Sequence, residues 1–293
     1  MLDYVESEDI VVENIHLTQT AWGQTTPVNA TIGYNYYCPL KSNSSTERAP
    51  AGCVALAGAQ MLYYLHYKFG SSLYAPTYAI CTGNVNGYSR QIGGASNTIW
   101  DGMPTLSSGN DDTGRNSAAI LIAWVGHLVG MNYGNTASSA RTEDLVDDVF
   151  GFYNISCQYG SYDVATVKQS LQGGMPVVAS ARAVTGTFLF FDITDGHSFL
   201  IDGYSKQKTK KTYHYIWVTE DGLGNITESD SIRTSVTYTN PVITHIKMNW
   251  GWGGEHNDNL YAPSGDWEIK DGNGELYNFN RSRKMIFDFV DNN

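Results

Sequence analysis

The stretch APAGCVALAGAQMLYYLHYKFG, residues 49–70, decides how this chain is read. Val54, Ala57, Met61, Leu65 and Phe69 fall near i, i+4 spacing, and Gly70 supplies a stop. That spacing predicts a helix of three to four turns beginning at Cys53. A thiol at such a helix start faces unpaired N–H groups and the positive end of the helix dipole, which stabilise a thiolate and lower its pKa from about 8.5. A lone cysteine is as readily an inert buried hydrophobe, so the rest of the chain must supply chemical partners for it.

A nucleophilic cysteine needs a base, and the base needs a group that orients it. His197 stands in DGHSFLIDGY, after a glycine and at the start of an apolar strand, 144 residues beyond Cys53. That separation falls inside the roughly 130–150 residues common between cysteine and histidine in peptidases of the papain type. Further on comes KMNWGWGG, with Asn249, Trp250 and Trp252. An asparagine at a strand end can accept an imidazole N–H and fix the tautomer, and a tryptophan can shield that contact from water. Taken singly, His197 reads equally as a satisfied core polar group and NWGWGG as a glycine turn with aromatic packing.

Together and in this order, GCVALAGAQMLYY, GHSFLIDGY and MNWGWGG resemble the streptopain family of bacterial cysteine peptidases (peptidase C10), a branch of the papain-like fold. MNYGNTASSA (131–140) resembles a further family segment. The papain signature C-G-S-C-W is absent, so the kinship is with streptopain rather than the cathepsins. The resemblance implies Cys53 as nucleophile and His197 as general base, then acid. It implies Gln24, in TAWGQTTPVN, as an oxyanion-hole donor beside the Cys53 N–H, Asn249 as orienter of His197, and Trp250 as its cover. It also implies a preference for an apolar residue two positions before the cut, and a zymogen with a pro-domain that this sequence does not carry. Two departures stand out. The segment between Gly203 and Asn249 is longer than the family pattern, and KDGNGELYNFN (270–280) is a shorter stand-in for the glycine-rich C-terminal loop.

Composition bounds the remaining choices. With 42% apolar and 16% charged residues over 293 positions, the chain folds around a sizeable core. A net charge of −11 argues against nucleic acid and anionic membrane as partners. No stretch approaches the roughly 20 apolar residues of a membrane span. MLDYVESEDI is acidic where a signal peptide carries a basic n-region, so the chain is either cytosolic or a mature, trimmed form; the second is expected, and with it a secreted, cell-surface or periplasmic place. Cys38, Cys53, Cys81 and Cys157 have no zinc-knuckle spacing and leave disulfide pairing open, the remaining histidines form no H-x-x-x-H pair, and GEHNDN (254–259) lacks an EF-hand pattern; neither metal nor cofactor is expected. Asp202 lies on the face of its strand opposite His197, as a structural carboxylate does.

Helices are expected at 115–131, 141–153 and 163–174, an extended loop over 11–48, and a solvated turn at KQKTKK (206–211). After residue 174 short β-branched and aromatic runs alternate with Gly, Asn and Asp turns, including a hairpin signal at EDGLGN (220–225). The expected architecture is therefore α+β and papain-like, a single catalytic domain over 1–293. A mainly helical lobe (about 20–174) carries the cysteine, an antiparallel sheet or barrel lobe (175–293) carries the histidine, and the site lies in the cleft between them. The expected activity is thiol endopeptidase, acting on protein or peptide and held in check by a pro-domain or proteinaceous inhibitor. The alternatives are an amidase or transferase with the same thiol chemistry, and a non-catalytic binding scaffold of the same fold.

Overall fold

The run of Ala, Leu and Met after Gly52 forms helix α1 (Cys53–Phe69), and nearly every residue from Val54 to Tyr63 is buried, so the helix is a core element rather than an amphipathic surface one. The computed structural model describes residues 1–70, 78–82, 89–93, 99–106, 111–188, 191–229, 233–270 and 274–293. Before α1 the chain makes strand β1 (Leu2–His16). After it come the paired strands β2 (Tyr78–Thr82) and β3 (Ser89–Gly93), the single turn α2 (Ile99–Gly102) and helix α3 (Asp112–Leu128). A π-helical turn (Leu145–Phe150) and a 3-10 turn (Gly151–Tyr153) lead to β4 (Ile155–Ser161) and α4 (Val164–Gln172). Asp111 and Asp163 cap α3 and α4, accepting from the N–H groups of Gly114 at 2.7 Å and Thr166 at 2.8 Å.

From residue 177 onward the described chain is strand and turn. β5 (Val177–Phe188) and β6 (Phe191–Tyr215) are followed by β7 (Val218–Glu220), β8 (Ile226–Glu228), β9 (Arg233–Tyr238) and β10 (Val242–Asn249). β11 (Glu268–Lys270), β12 (Leu276–Asn278) and β13 (Arg281–Asp291) complete it. The main sheet runs β1-β6-β5-β13-β4, all neighbours antiparallel, with β9 and β10 also on β6.

Side-chain alternation along the sheet builds two cores. Val178, Leu200 and Ile286 face Leu56, Met61, Leu121 and Phe150 of the helical part, whereas Ala179, Phe199, Ile201 and Met285 face Ile246, Trp250 and Trp267. Neighbouring positions on β6 thus belong to opposite sides of the sheet, and His197 shares its side with Phe199.

Several sequence expectations change. The helix expected at 141–153 is shorter and not α-helical: Leu145–Phe150 form a π-helical turn and Gly151–Tyr153 a 3-10 turn. Residues 11–16, read as loop, lie in β1. KQKTKK is not a turn: it lies inside the 25-residue strand β6, which also joins runs read as two separate strands. β1 keeps it extended, with Glu13 opposite Lys206 and Glu8 opposite Lys210. The hairpin at 220–225 forms as expected, between β7 and β8.

β1 leaves no room for a side chain at Gly203 of β6, where a Cβ would stand 2.3 Å from the Ile15 carbonyl oxygen and 3.2 Å from Lys247 Cβ. Gly203→Ala is expected to lower stability by about 1–3 kcal/mol through overpacking, read as a fall in the thermal midpoint. Gly222→Ala, where a Cβ meets nothing within 4 Å, is the control and should leave the midpoint in place.

Candidate active site

The turn into α1 has little freedom. Gly52 has φ 89°, and a Cβ there would meet Met131 Sδ at 2.7 Å, so only glycine fits. The segment before Cys53 is fastened on two sides: Ala51 N–H donates to the Gln24 carbonyl at 2.8 Å, and Ser138 Oγ donates to the Pro50 carbonyl at 2.6 Å. The Cys53 sulfur therefore stands at the helix N-terminus, where the N–H groups of Cys53 and Val54 and both the backbone and hydroxyl of Ser198 favour the thiolate. Burial acts the other way and is the larger effect, pushing the thiol pKa above its ordinary value. The lowered pKa expected from the helix terminus alone is thus reversed, because desolvation of the partly buried sulfur outweighs those hydrogen bonds.

His197 lies on β6 opposite Ala181 of β5. Its ring is enclosed by Trp252, Phe279, Phe199 and Trp250, with centroids at 5.2, 5.7, 5.9 and 6.0 Å. Nε2 is 2.8 Å from the Trp250 carbonyl oxygen. A carbonyl only accepts, so Nε2 carries the proton and Nδ1 is the basic nitrogen. Burial lowers the imidazole pKa to about 4, and the Trp250 carbonyl, which favours the protonated form, offsets this only in part.

Cys53 and His197 line one cavity of about 600 Å³, together with residues 138–143 and parts of β5 and β13. No hydrogen bond joins the Cys53 sulfur to the His197 ring among the described residues; such contacts often tighten only when substrate is bound.

Asn249 is placed differently from expectation. Its Nδ2 donates to the Thr20 carbonyl at 2.6 Å, and its Oδ1 accepts from the Gly251 N–H at 3.2 Å. Both ends of the amide are engaged, and the turn instead presents the carbonyl of the next residue, Trp250, to the imidazole. The orienting contact therefore belongs to a backbone atom, while the Trp250 indole is fully buried and stacks on His197 at an interplanar angle of 15°. Gln24 lines a second concavity of about 550 Å³ with Gly251 and Trp252, and does not line the Cys53 cavity. Asp202 is buried and receives Thr18 Oγ1 and His16 Nδ1.

Two residues escaped the sequence reading. Thr20 Oγ1 donates to Gln60 Oε1 of α1 at 2.7 Å and lies 3.3 Å from Asn249 Nδ2, so a buried polar chain joins the His197 turn to the cysteine helix. The available signal was Gln60, a polar residue amid the apolar run AGAQML. Cys53 and Cys157 are free thiols, with Cys157 pushed up to about 12 by burial and by Asp147. Among the described residues no group of three or more His, Cys, Asp or Glu could hold a metal ion, and no helix is long and apolar enough to cross a membrane.

Comparison with known proteins follows this geometry. The model of the Peptidase C10 family matches residues 22–261, and the chain belongs to that family. Streptopain of Streptococcus pyogenes is 26% identical over 196 residues, covering 62% of this chain and 45% of its own length; streptopain of serotype M1 matches with the same identity and coverage. The matched region thus spans about half the length of these curated relatives. Among solved structures, active wild-type interpain A cysteine protease of Prevotella intermedia superposes with a TM-score of 0.59 at 23% identity, covering 93% of both chains. A prointerpain A fragment from the same organism gives 0.53 at 21% identity, covering 93% of this chain and 71% of that one. These two likenesses establish the papain-like α+β fold.

Two outcomes follow. The His197 imidazole titrates near 6.5 when unfolded and near 4 when folded, so between those values the unfolded chain holds the proton and the native one does not. Stability should fall as pH drops from about 6.5 to about 4, by a total on the order of 3 kcal/mol. The difference between wild type and His197→Phe in denaturant titrations across that window isolates this contribution. Thr20→Val leaves Gln60 Oε1 buried without its donor and is expected to cost about 1–3 kcal/mol, with Thr20→Ser recovering most of it.

Proposed function

As a member of the peptidase C10 family, this chain is, we propose, a thiol endopeptidase with Cys53 as nucleophile and His197 as its base. One observation carries the reading: the buried imidazole, its Nε2 held by the Trp250 carbonyl, shares a cavity with a thiol at a helix N-terminus. At rest both groups are neutral, since burial raises the thiol pKa and lowers that of the imidazole. As sulfur attacks the peptide carbonyl, the thiol proton passes to His197 Nδ1. The negative charge developing on the carbonyl oxygen is met by the Cys53 N–H and, once substrate is bound, the Gln24 amide. His197 then protonates the leaving amine, a thioester remains on Cys53, and a water deprotonated by His197 releases the acid product.

Protein or peptide is the substrate in this reading. The match to the prointerpain A fragment supports a zymogen form, with a pro-segment or protein inhibitor as partner. The scarcity of lysine and arginine supports a place outside the cytosol.

Under reducing conditions the epoxide inhibitor E-64 should add once, at Cys53, as located by peptide mapping, and His197→Ala should abolish the addition. Labelling of Cys38 or Cys157 with Cys53 left untouched would overturn the assignment. With a peptide substrate, Gln24→Ala should lower kcat by about 10²–10³ with little change in KM.

A further inference from the structure

The cavity holding Cys53 and His197 is basic and lined by hydroxyl groups. Antiparallel register places two rows of residues across β6, β5 and β13. Ser198, Ser180 and Lys284 form one row; Gly196, Arg182 and Arg281 form the next. His197 and Ala181 lie between these rows, and Ser180, Arg182, Ser198 and Lys284 line the Cys53 cavity with them. β13 is irregular at this point: its register with β5 shifts between Arg281 and Lys284, and Ser282 has φ 48°, a local kink of the kind that re-aims strand side chains. Gly196 has no side chain, and the space a Cβ would occupy has only Arg182 Cγ within 4.0 Å.

The cavity's charges do not balance. Arg141 and Glu143 pair with each other on its rim. Lys284 Nζ donates to Ser161 Oγ at 3.2 Å, a neutral partner, and neither Lys284 nor Arg182 has an ion-pair partner among the described residues. Two positive charges therefore remain beside the thiol in a chain whose net charge is −11. An apolar substrate side chain would strip water from these cations without replacing it, whereas a carboxylate would receive charge-assisted hydrogen bonds from them and from Ser180 or Ser198.

We propose that this cavity selects peptides bearing an aspartate or glutamate close to the cleaved bond, with Lys284 and Arg182 as the specificity-determining residues. The assignment rests on the peptidase reading and departs from the apolar preference that the family resemblance implied. The attraction is local and partly exposed, so its size is expected to shrink as salt is added.

The test is cleavage of positional-scanning peptide libraries by wild type, Lys284→Glu, Arg182→Glu and Lys284→Met, with thermal unfolding confirming that each variant is folded. Wild type should prefer Asp and Glu over Asn and Gln at one position near the cut by about tenfold. Lys284→Met should reduce that ratio, and the two charge reversals should shift the preference at the same position towards Lys and Arg. Cleavage with an apolar preference there, or an acidic preference that survives both reversals, would overturn the pocket assignment while leaving the peptidase reading intact. Absence of cleavage together with failure of E-64 to label Cys53 would overturn the peptidase reading and the pocket assignment with it.

Discussion

Strand β6 carries the hydrogen-bond ladders of four other strands: β5 along Phe191–Ile201, β1 along Gly203–Tyr215, and β10 and β9 on its other edge. His197 is therefore a residue in the best-anchored strand of the sheet. Its ring height is set by pairing with β5, and its hydrogen-bond partner by where β10 ends. A slip of β6 by one residue against β5 would exchange His197 with Ser198 between the two sides of the sheet. The clash awaiting any side chain at Gly203 shows how closely β1 must approach to keep that register.

The electrostatics of the thiol and the imidazole come from a contest that burial wins on both. The helix terminus and Ser198 favour the thiolate, and the Trp250 carbonyl favours the imidazolium, yet desolvation leads in each case. Under the proposed peptidase reading, a neutral resting pair is suited to charge separation when a substrate brings its own dipole and excludes the remaining water. Polar side chains are recruited sparingly around it. Asn249, Thr20 and Gln60 tie the histidine turn to the cysteine helix through the protein interior, where each unmade hydrogen bond would be costly.

The two concavities differ in chemistry as well as place. Gln24 and Trp252 line one, and Lys284 and Arg182 the other. Trp252 also touches the histidine ring at 5.2 Å, so the glycine turn at 251–254 contributes both to the imidazole's enclosure and to the wall of the Gln24 concavity. The long surface arm of β1 and β6 is of another kind. Its cross-strand pairs, such as Glu8 with Lys210 at 3.7 Å, are exposed and add little to stability individually.

The sequence by itself determined the helix that starts at Cys53, the glycine that introduces it and the α+β division, because these follow from local spacing, turn chemistry and short blocks of residue types. It misread 11–16 and 206–211, polar stretches without apolar periodicity, because what keeps them extended is a partner strand nearly 200 residues away in the chain. Tertiary structure alone decided that a Trp250 carbonyl and not the Asn249 amide holds His197, that Thr20 and Gln60 complete the link, and that the cavity beside the thiol is basic. The physical reason is the same in each case. A side chain's partners and its desolvation depend on register between distant strands, and no periodicity within one segment encodes that register.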